Sequence, residues 1–152
     1  MDKNFDPKAC EDAIYRMWES GGYFVPKEDP SAPPFTIIMP PPNANDPLHI
    51  GHAMFITIED ILIRYHRMKG DSSLWLPGTD HAGIETQFVF EKKLAKQDKS
   101  RFNFDRETLY RMIWDYVQEN SGVAVNQMKK LGASADWTKF KFTLDPDIVA
   151  NV

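Results

Sequence analysis

A single cysteine, Cys10, stands in a chain of 152 residues. That excludes an internal disulfide and a zinc centre built from cysteines, and it fits a reducing compartment. No apolar run comes near the roughly 20 residues that a membrane-crossing helix needs. The opening Met1-Asp2-Lys3-Asn4-Phe5 has neither the apolar stretch of a signal peptide nor the character of a transit peptide. The expectation is a soluble, cytoplasmic protein without a membrane partner. Excess positive charge is also missing: the formal net charge is -4, whereas surfaces that clamp nucleic acid broadly are strongly basic. This argues against such a role for the chain itself and leaves RNA contact to other parts of a longer protein. Repeats and low-complexity tracts are absent. What is present is 42% hydrophobic residues at modest net charge, enough to build a packed core and unlike a disordered chain. The length fits one domain, commonly about 100–200 residues.

Residues 1–34 read as an opening helix and a proline-rich connector. Ile14, Met17 and Trp18 give Lys8 to Ser20 an apolar face, Gly21-Gly22 ends that helix, and four prolines punctuate Pro26 to Pro34. Residues 35–152 then repeat a strand–loop–helix pattern. Phe35 to Met39 is a short buried strand. A helix pattern starts at Asp46 and carries Ile50, Met54, Ile58, Ile61, Tyr65 and Met68 on one face. Leu74-Trp75-Leu76 is a second strand, followed by a polar loop and a helix from Ile84 to Lys96. This order is the mark of a parallel α/β fold, Rossmann-like, in which ligands sit outside the carboxyl ends of the strands. Both polar loops fall at such ends and are expected to face one crevice. A third helix is expected from Asp105 to Leu131, with Asp105 as its cap, Gly122 as an interruption and Gly132 as its stop. From Phe140 a strand and the start of another helix follow, and the pattern stops at Val152 as though cut.

The first loop reads Pro40-Pro41-Pro42-Asn43-Ala44-Asn45-Asp46-Pro47-Leu48-His49-Ile50-Gly51-His52. Asp46 suits a helix cap and Pro47 the first helical position. His49 and His52 then lie three residues apart in the first turn, where unpaired N–H groups and the helix dipole attract anions. Two imidazoles there can donate to phosphate oxygens, and Gly51 lets a flat ring approach the backbone. A bare HxxH pair, however, more often reads as surface or packing histidines. A zinc site would need further ligands, for which His81 is the one obvious candidate. The second loop reads Pro77-Gly78-Thr79-Asp80-His81-Ala82-Gly83-Ile84-Glu85. Its Asp80 suits either a helix cap or a charged hydrogen bond to an ammonium group.

His49-Ile50-Gly51-His52 spells the HIGH signature of class I aminoacyl-tRNA synthetases, and the chain resembles the valyl-tRNA synthetase family in particular. Pro-Pro-Pro-Asn before the signature is similar to that family. So is the second loop, where Thr79 stands at a position that isoleucyl and leucyl relatives fill with tryptophan. Phe5-Asp6-Pro7-Lys8, Leu131 to Trp137 and Phe142-Thr143-Leu144-Asp145 extend the resemblance along the chain, up to the segment before the family's editing insertion. The family commonly has Thr-Gly where Asn45-Asp46 stands, and the extra carboxylate would repel phosphates unless a magnesium ion or a proton neutralises it.

The resemblance implies a valine–tRNA ligase, with this chain supplying the HIGH half of the first part of its catalytic domain. His49 and His52 would be catalytic. His49, Gly51, His52 and Asn43 would hold ATP, brought as its Mg2+ complex. Pro41, Asn43 and Asp80 would hold valine, and His81 would position its loop. No resident metal and no tightly bound cofactor are implied. The partners would be valine, ATP and, through the complete enzyme, tRNA(Val); the family is monomeric. A KMSKS-like loop, an editing domain and an anticodon-binding domain are not visible. Lys92-Lys93-Leu94-Ala95-Lys96 could meet tRNA but reads better as the solvated face of a helix. Two other readings stand beside this one. One is a truncated, non-catalytic paralogue that binds an amino acid, a nucleotide or a partner. The other is a free-standing nucleotidyltransferase.

Overall fold

The computed structural model describes residues 6–151; Phe5 and the rest of the opening Met1–Phe5, and Val152, lie outside the described residues. The elements in order are α1 (Pro7–Ser20), β1 (Pro34–Ile38), α2 (Ile50–Lys69), β2 (Ser72–Leu76), β3 (Gly78–Thr79), α3 (Gly83–Ala95), α4 (Arg106–Lys130), β4 (Lys141–Phe142) and α5 (Pro146–Val149). Single 3-10 turns occur at Arg101–Asn103 and Trp137–Lys139. The chain divides into two interleaved compact units. The first comprises residues 1–39, 53–77 and 127–140, the second residues 40–52, 78–126 and 141–152. No helix among the described residues is long and apolar enough to cross a membrane.

In the first unit, Asp6 caps α1 by accepting the Lys8 N–H at 3.1 Å, with Pro7 in the first turn. A Gly22 at φ +70° follows the helix end. β1 and β2 pair in parallel, Pro34 opposite Ser72 through Ile38 opposite Leu76. Parallel neighbours need a crossover, and α2 is the helix between them in sequence. Trp75 on β2 is fully buried and its indole N–H donates to Glu59 at 2.9 Å. Tyr15 on α1 donates to the Ala133 carbonyl at 2.6 Å and accepts from the Trp137 indole at 2.7 Å.

Two expectations for α2 are corrected. The helix begins at Ile50 and not at Asp46, which is exposed and outside it. The apolar stripe Ile50, Met54, Ile58, Ile61, Tyr65 and Met68 is not the packed face: each of these residues is more than half exposed. Ile56 and Ile63 are buried instead. Their face also carries Glu59, Asp60 and Arg67, at the i, i+3, i+4, i+7 spacing of one helix side. These polar groups are matched. Asp60 accepts from the Ser134 N–H and hydroxyl at 2.9 and 2.6 Å. Arg67 donates to the Ser134 hydroxyl, the Ser134 carbonyl and the Phe24 carbonyl at 2.6, 2.8 and 2.9 Å. Counting apolar residues alone misses a buried face stitched by hydrogen bonds.

In the second unit, β3 and β4 pair in parallel, Gly78 opposite Lys141 and Thr79 opposite Phe142. A Cβ at Gly78 would lie 2.7 Å from the Lys141 carbonyl oxygen, so the close approach requires glycine. Asp105 caps α4 as expected, accepting the Thr108 N–H at 2.9 Å. The helix runs through Gly122 without interruption, and Gly132 at φ +88° follows its end. Phe90 of α3 and Tyr116 of α4 contact with ring centroids 5.4 Å apart, and Trp114 meets Phe142 at 6.1 Å.

Candidate functional site

All the residues singled out in the two loops belong to the second unit. The loops are joined by backbone pairing. Asn43 and Asp80 form an isolated parallel bridge, in which the Asp80 N–H donates to the Pro42 carbonyl at 2.8 Å and the Ala44 N–H donates to the Asp80 carbonyl at 2.7 Å. Ala44 is fully buried there. The two loops therefore run side by side at the level of the backbone.

The histidine pair is built by local contacts at the start of α2. The His49 carbonyl accepts the His52 N–H at 2.9 Å. The His49 ring folds over the next residues, and its Nδ1 accepts the Gly51 N–H at 3.1 Å. His52 Nδ1 accepts the His49 N–H at 3.2 Å. The ring centroids stand 4.1 Å apart, tilted by 47°. His49 thus does the capping that sequence reading assigned to Asp46, since it satisfies one of the unpaired amides of the first turn. Each Nδ1 that accepts a backbone N–H must be unprotonated, which puts the proton of a neutral ring on Nε2. In the neutral form both rings therefore carry their proton on Nε2. Partial burial, and next the neighbouring His49, push the His52 pKa below its ordinary value, which favours the neutral ring. Gly51 has a different local use from the one expected. A Cβ there would stand 2.9 Å from His49 Cε1, so the flat ring it admits in this structure is that of His49.

The second cluster gathers around Asp80. Its Oδ1 accepts the Ala82 N–H at 3.2 Å and the Thr143 hydroxyl at 2.9 Å, and lies 3.2 Å from His81 Nδ1. Thr143 Oγ1 also accepts the His81 N–H at 2.9 Å and lies 2.7 Å from His81 Nδ1. Asp80 is not the cap of α3: that position is Ala82, at φ 44° and ψ 53°, with no side-chain cap. A non-glycine residue in the left-handed region stores strain of the kind that collects at functional loops. Thr79 is fully buried and bonds the Ser121 hydroxyl at 2.9 Å, so its small side chain fills the interior and does not project into the loop. Asn43 donates its side-chain amide to Glu85 Oε2 at 2.5 Å. Pro41 is exposed beside Gly78, its Cβ 3.8 Å from where a glycine substituent there would be.

Glu85, Thr143 and Tyr116 went unassigned by sequence reasoning. Glu85 stands within the second motif and Thr143 within the Phe142-Thr143-Leu144-Asp145 segment, but neither spacing says which side chain it meets. Tyr116 donates to the Asn45 carbonyl at 2.7 Å. Desolvation first, then the Asp46 charge, raise its pKa, so the extra carboxylate of the first loop bears on a phenol of α4. The Lys92 and Lys93 ammoniums lie 4.2 and 4.6 Å from the ring centroids of Phe88 and Tyr116, both lysines being exposed. Among the described residues no three His, Cys, Asp or Glu side chains gather in a way that could hold a metal ion.

The family described as tRNA synthetases class I (I, L, M and V) matches residues 13–152. The valine–tRNA ligase of Caulobacter vibrioides is 48% identical over 153 residues, covering all of this chain and 17% of the relative. Valine–tRNA ligase, chloroplastic/mitochondrial 2, of Arabidopsis thaliana is 50% identical over 146 residues, covering 96% of this chain and 15% of the relative. Among solved structures, LeuRS of Agrobacterium radiobacter K84 (agnB2), in a ternary complex with tRNA and LeuAMS, superposes with a TM-score of 0.77 at 19% identity, over 96% of this chain and 17% of that one. The last likeness concerns the fold, a parallel α/β fold of the Rossmann-like kind. The chain spans 15–17% of the length of these curated relatives. A match that runs through nearly every described element, on a fold shared with a member of the same class, places the chain among the class I aminoacyl-tRNA synthetases.

Proposed function

We propose that this chain carries the HIGH half of the adenylation site of a valine–tRNA ligase, acting in translation in the cytoplasm. In the proposed division, residues 1–34 lead into the first half of the catalytic domain, residues 35–152. The observation that carries the reading is the Asn43–Asp80 bridge, which holds the amino-acid loop against the loop leading to the histidine pair. In the first step the valine carboxylate attacks the α-phosphorus of ATP, brought as its Mg2+ complex, and pyrophosphate leaves. In the second a hydroxyl of the terminal ribose of tRNA(Val) takes the valyl group from the adenylate, and AMP leaves.

The protein's share is placement and charge stabilisation. His49 and His52 donate from Nε2–H to the phosphates as negative charge grows, and a hydrogen-bond donor does this without changing protonation. Asp80 takes the valine ammonium, with Pro41 as part of the wall against the small branched side chain. Asn43, oriented by Glu85, meets the amino acid or the forming adenylate, and Gly51 stands beside the nucleotide, where it leaves room for the His49 ring. His81 positions the loop. A pocket of this kind excludes larger side chains by size but discriminates poorly against an isostere bearing a hydroxyl.

Valine-dependent ATP–pyrophosphate exchange tests the reading, in the 152-residue chain and in the complete polypeptide to which it belongs. His49→Ala and His52→Ala should each lower the exchange rate by about 2–4 kcal/mol of transition-state stabilisation. Asp80→Asn should raise the KM for valine. Unchanged exchange in both histidine variants of the complete enzyme would refute the phosphate role. Valine and ATP binding without turnover, in the complete polypeptide as well, would point to a non-catalytic paralogue.

A further inference from the structure

We propose that Thr143 is a positioning residue that presents the Asp80 carboxylate to the α-ammonium of the amino acid, through a clamp it shares with His81. The proposal rests on Asp80 being the ammonium site, and it assigns to β4's end a part in amino-acid recognition that the loop motifs do not contain.

The protons of the cluster can be placed by counting. Thr143 Oγ1 has one hydrogen and two acceptor positions. It meets three polar groups: the His81 N–H at 2.9 Å, His81 Nδ1 at 2.7 Å and Asp80 Oδ1 at 2.9 Å. The backbone N–H can only donate. An ionised carboxylate can only accept, so the hydroxyl hydrogen goes to Asp80. Nδ1 of His81 must then donate to the second lone pair, which fixes the neutral ring as the Nδ1–H form, opposite to that of His49 and His52. The Ala82 N–H and His81 Nδ1 also approach Oδ1, both at 3.2 Å. All these contacts fall on Oδ1, so Oδ2 is the oxygen that remains to take an ammonium donor, on a carboxylate whose rotation is stopped.

The position of Thr143 does not depend on its own hydroxyl. Its N–H donates to the Thr79 carbonyl at 3.2 Å, which extends the β3–β4 pairing. Phe142 before it is buried against Trp114 and donates its N–H to Asp145 Oδ2 at 2.8 Å. The backbone is thus fixed by neighbours, while the side chain reaches a carboxylate 63 residues away in sequence. A purely structural threonine would have no need of a bond to each of two adjacent loop side chains.

The test uses the full 152-residue chain. Imidazole nitrogen NMR reads the His81 tautomer, with circular dichroism to confirm that each variant is folded. Thr143→Val keeps shape and removes the hydroxyl, Thr143→Ser keeps the hydroxyl, and Thr143→Ala serves if the valine variant does not fold. The Nδ1–H signature of His81 should dominate in the unsubstituted chain and in Thr143→Ser, and should weaken in Thr143→Val, where Asp80 Oδ1 at 3.2 Å is the acceptor left to it. Valine binding, measured by calorimetry, should weaken about tenfold in Thr143→Val, the worth of one hydrogen bond to a charged group. It should recover to within about twofold in Thr143→Ser. Retention of the signature and of valine affinity in Thr143→Val overturns the clamp, as does a serine variant that behaves like the valine one. Failure of the unsubstituted chain to bind valine, or undiminished binding by Asp80→Asn, overturns the underlying ammonium site and the ligand half of the proposal. The His81 tautomer decides the clamp independently of valine binding.

Discussion

The two motif loops of the second unit are held in contrasting ways. The histidine pair is fixed by contacts reaching two or three residues along the chain: His49 to Gly51, and His49 to His52. The second loop is held by contacts from distant parts of the chain: Thr143 reaches Asp80 across 63 residues, and Asn43 reaches Glu85 across 42. The first arrangement needs a helix start and a glycine. The second needs β3 and β4 to be paired. The two should therefore fail separately, and the comparison can be broken from either side.

The largest effect is expected at Gly78. A Cβ there meets the Lys141 carbonyl oxygen at 2.7 Å, and the obstacle is backbone, which cannot swing aside. Gly78→Ala should cost about 2–3 kcal/mol of stability, measured by urea unfolding. It should also weaken the His81 Nδ1–H signature, because Thr143 moves with β4 and leaves Asp80 Oδ1 as the acceptor. His49 and His52 should keep their Nε2–H form. Loss of both signatures in a folded variant would show that the loops are one mechanical unit after all.

A smaller effect, of opposite sign, is expected at Ala82. Its φ of 44° is costly for an L side chain and natural for glycine. Ala82→Gly should stabilise the chain by about 1 kcal/mol, read as a higher urea midpoint. If the strain helps to aim Asp80, valine affinity should fall in the same variant. Higher stability with unchanged affinity would confine the strain to the turn.

Gly51→Ala sharpens the contrast from the other loop. The added Cβ would stand 2.9 Å from His49 Cε1, but the obstacle is the end of a side chain and can rotate away. Alanine gains about 1 kcal/mol over glycine in a helix, while losing the His49 cap costs about 1 kcal/mol. Net stability should change by less than about 1 kcal/mol. The His49 ring should nevertheless leave its Nε2–H form, seen by nitrogen NMR, with the Asp80 cluster undisturbed.

The same contrast governs how much of the molecule is legible in its sequence. The parallel α/β order and the Asp105 cap follow from short-range signals: apolar runs and turn residues. The Nδ1–Gly51 contact is nearly legible, because a histidine two residues before a free amide has few other places to go. Proline at position 47 misleads: a residue suited to the first turn does not prove one, and His49 closes the helix later. Thr143 and Glu85 are illegible, because nothing in a local window says which distant side chain a hydroxyl or carboxylate will meet. The α2 stripe fails for a further reason. Periodicity identifies apolar sides, but the packed side of α2 is marked by Asp60 and Arg67, whose partial burial is made tolerable by Ser134 and the Phe24 carbonyl.

The smallest effect is a matter of protons. His52 holds its Nδ1 toward the His49 N–H and is partly buried, so the folded state disfavours the imidazolium and its pKa lies below the ordinary 6.5. Well above that value the ring is neutral folded or unfolded and contributes nothing to pH dependence. As the pH falls through 6.5 the unfolded ring takes up its proton first, so stability declines there and levels off once the folded ring is also protonated. The NMR titration midpoint of His52 should accordingly lie below 6.5. His49→Ala should raise it part of the way back, because the neighbouring ring is the lesser cause and burial the greater. A midpoint at or above 6.5 would mean that the first turn of α2 does not exclude the proton. Partial burial would then not be what sets the protonation of His52.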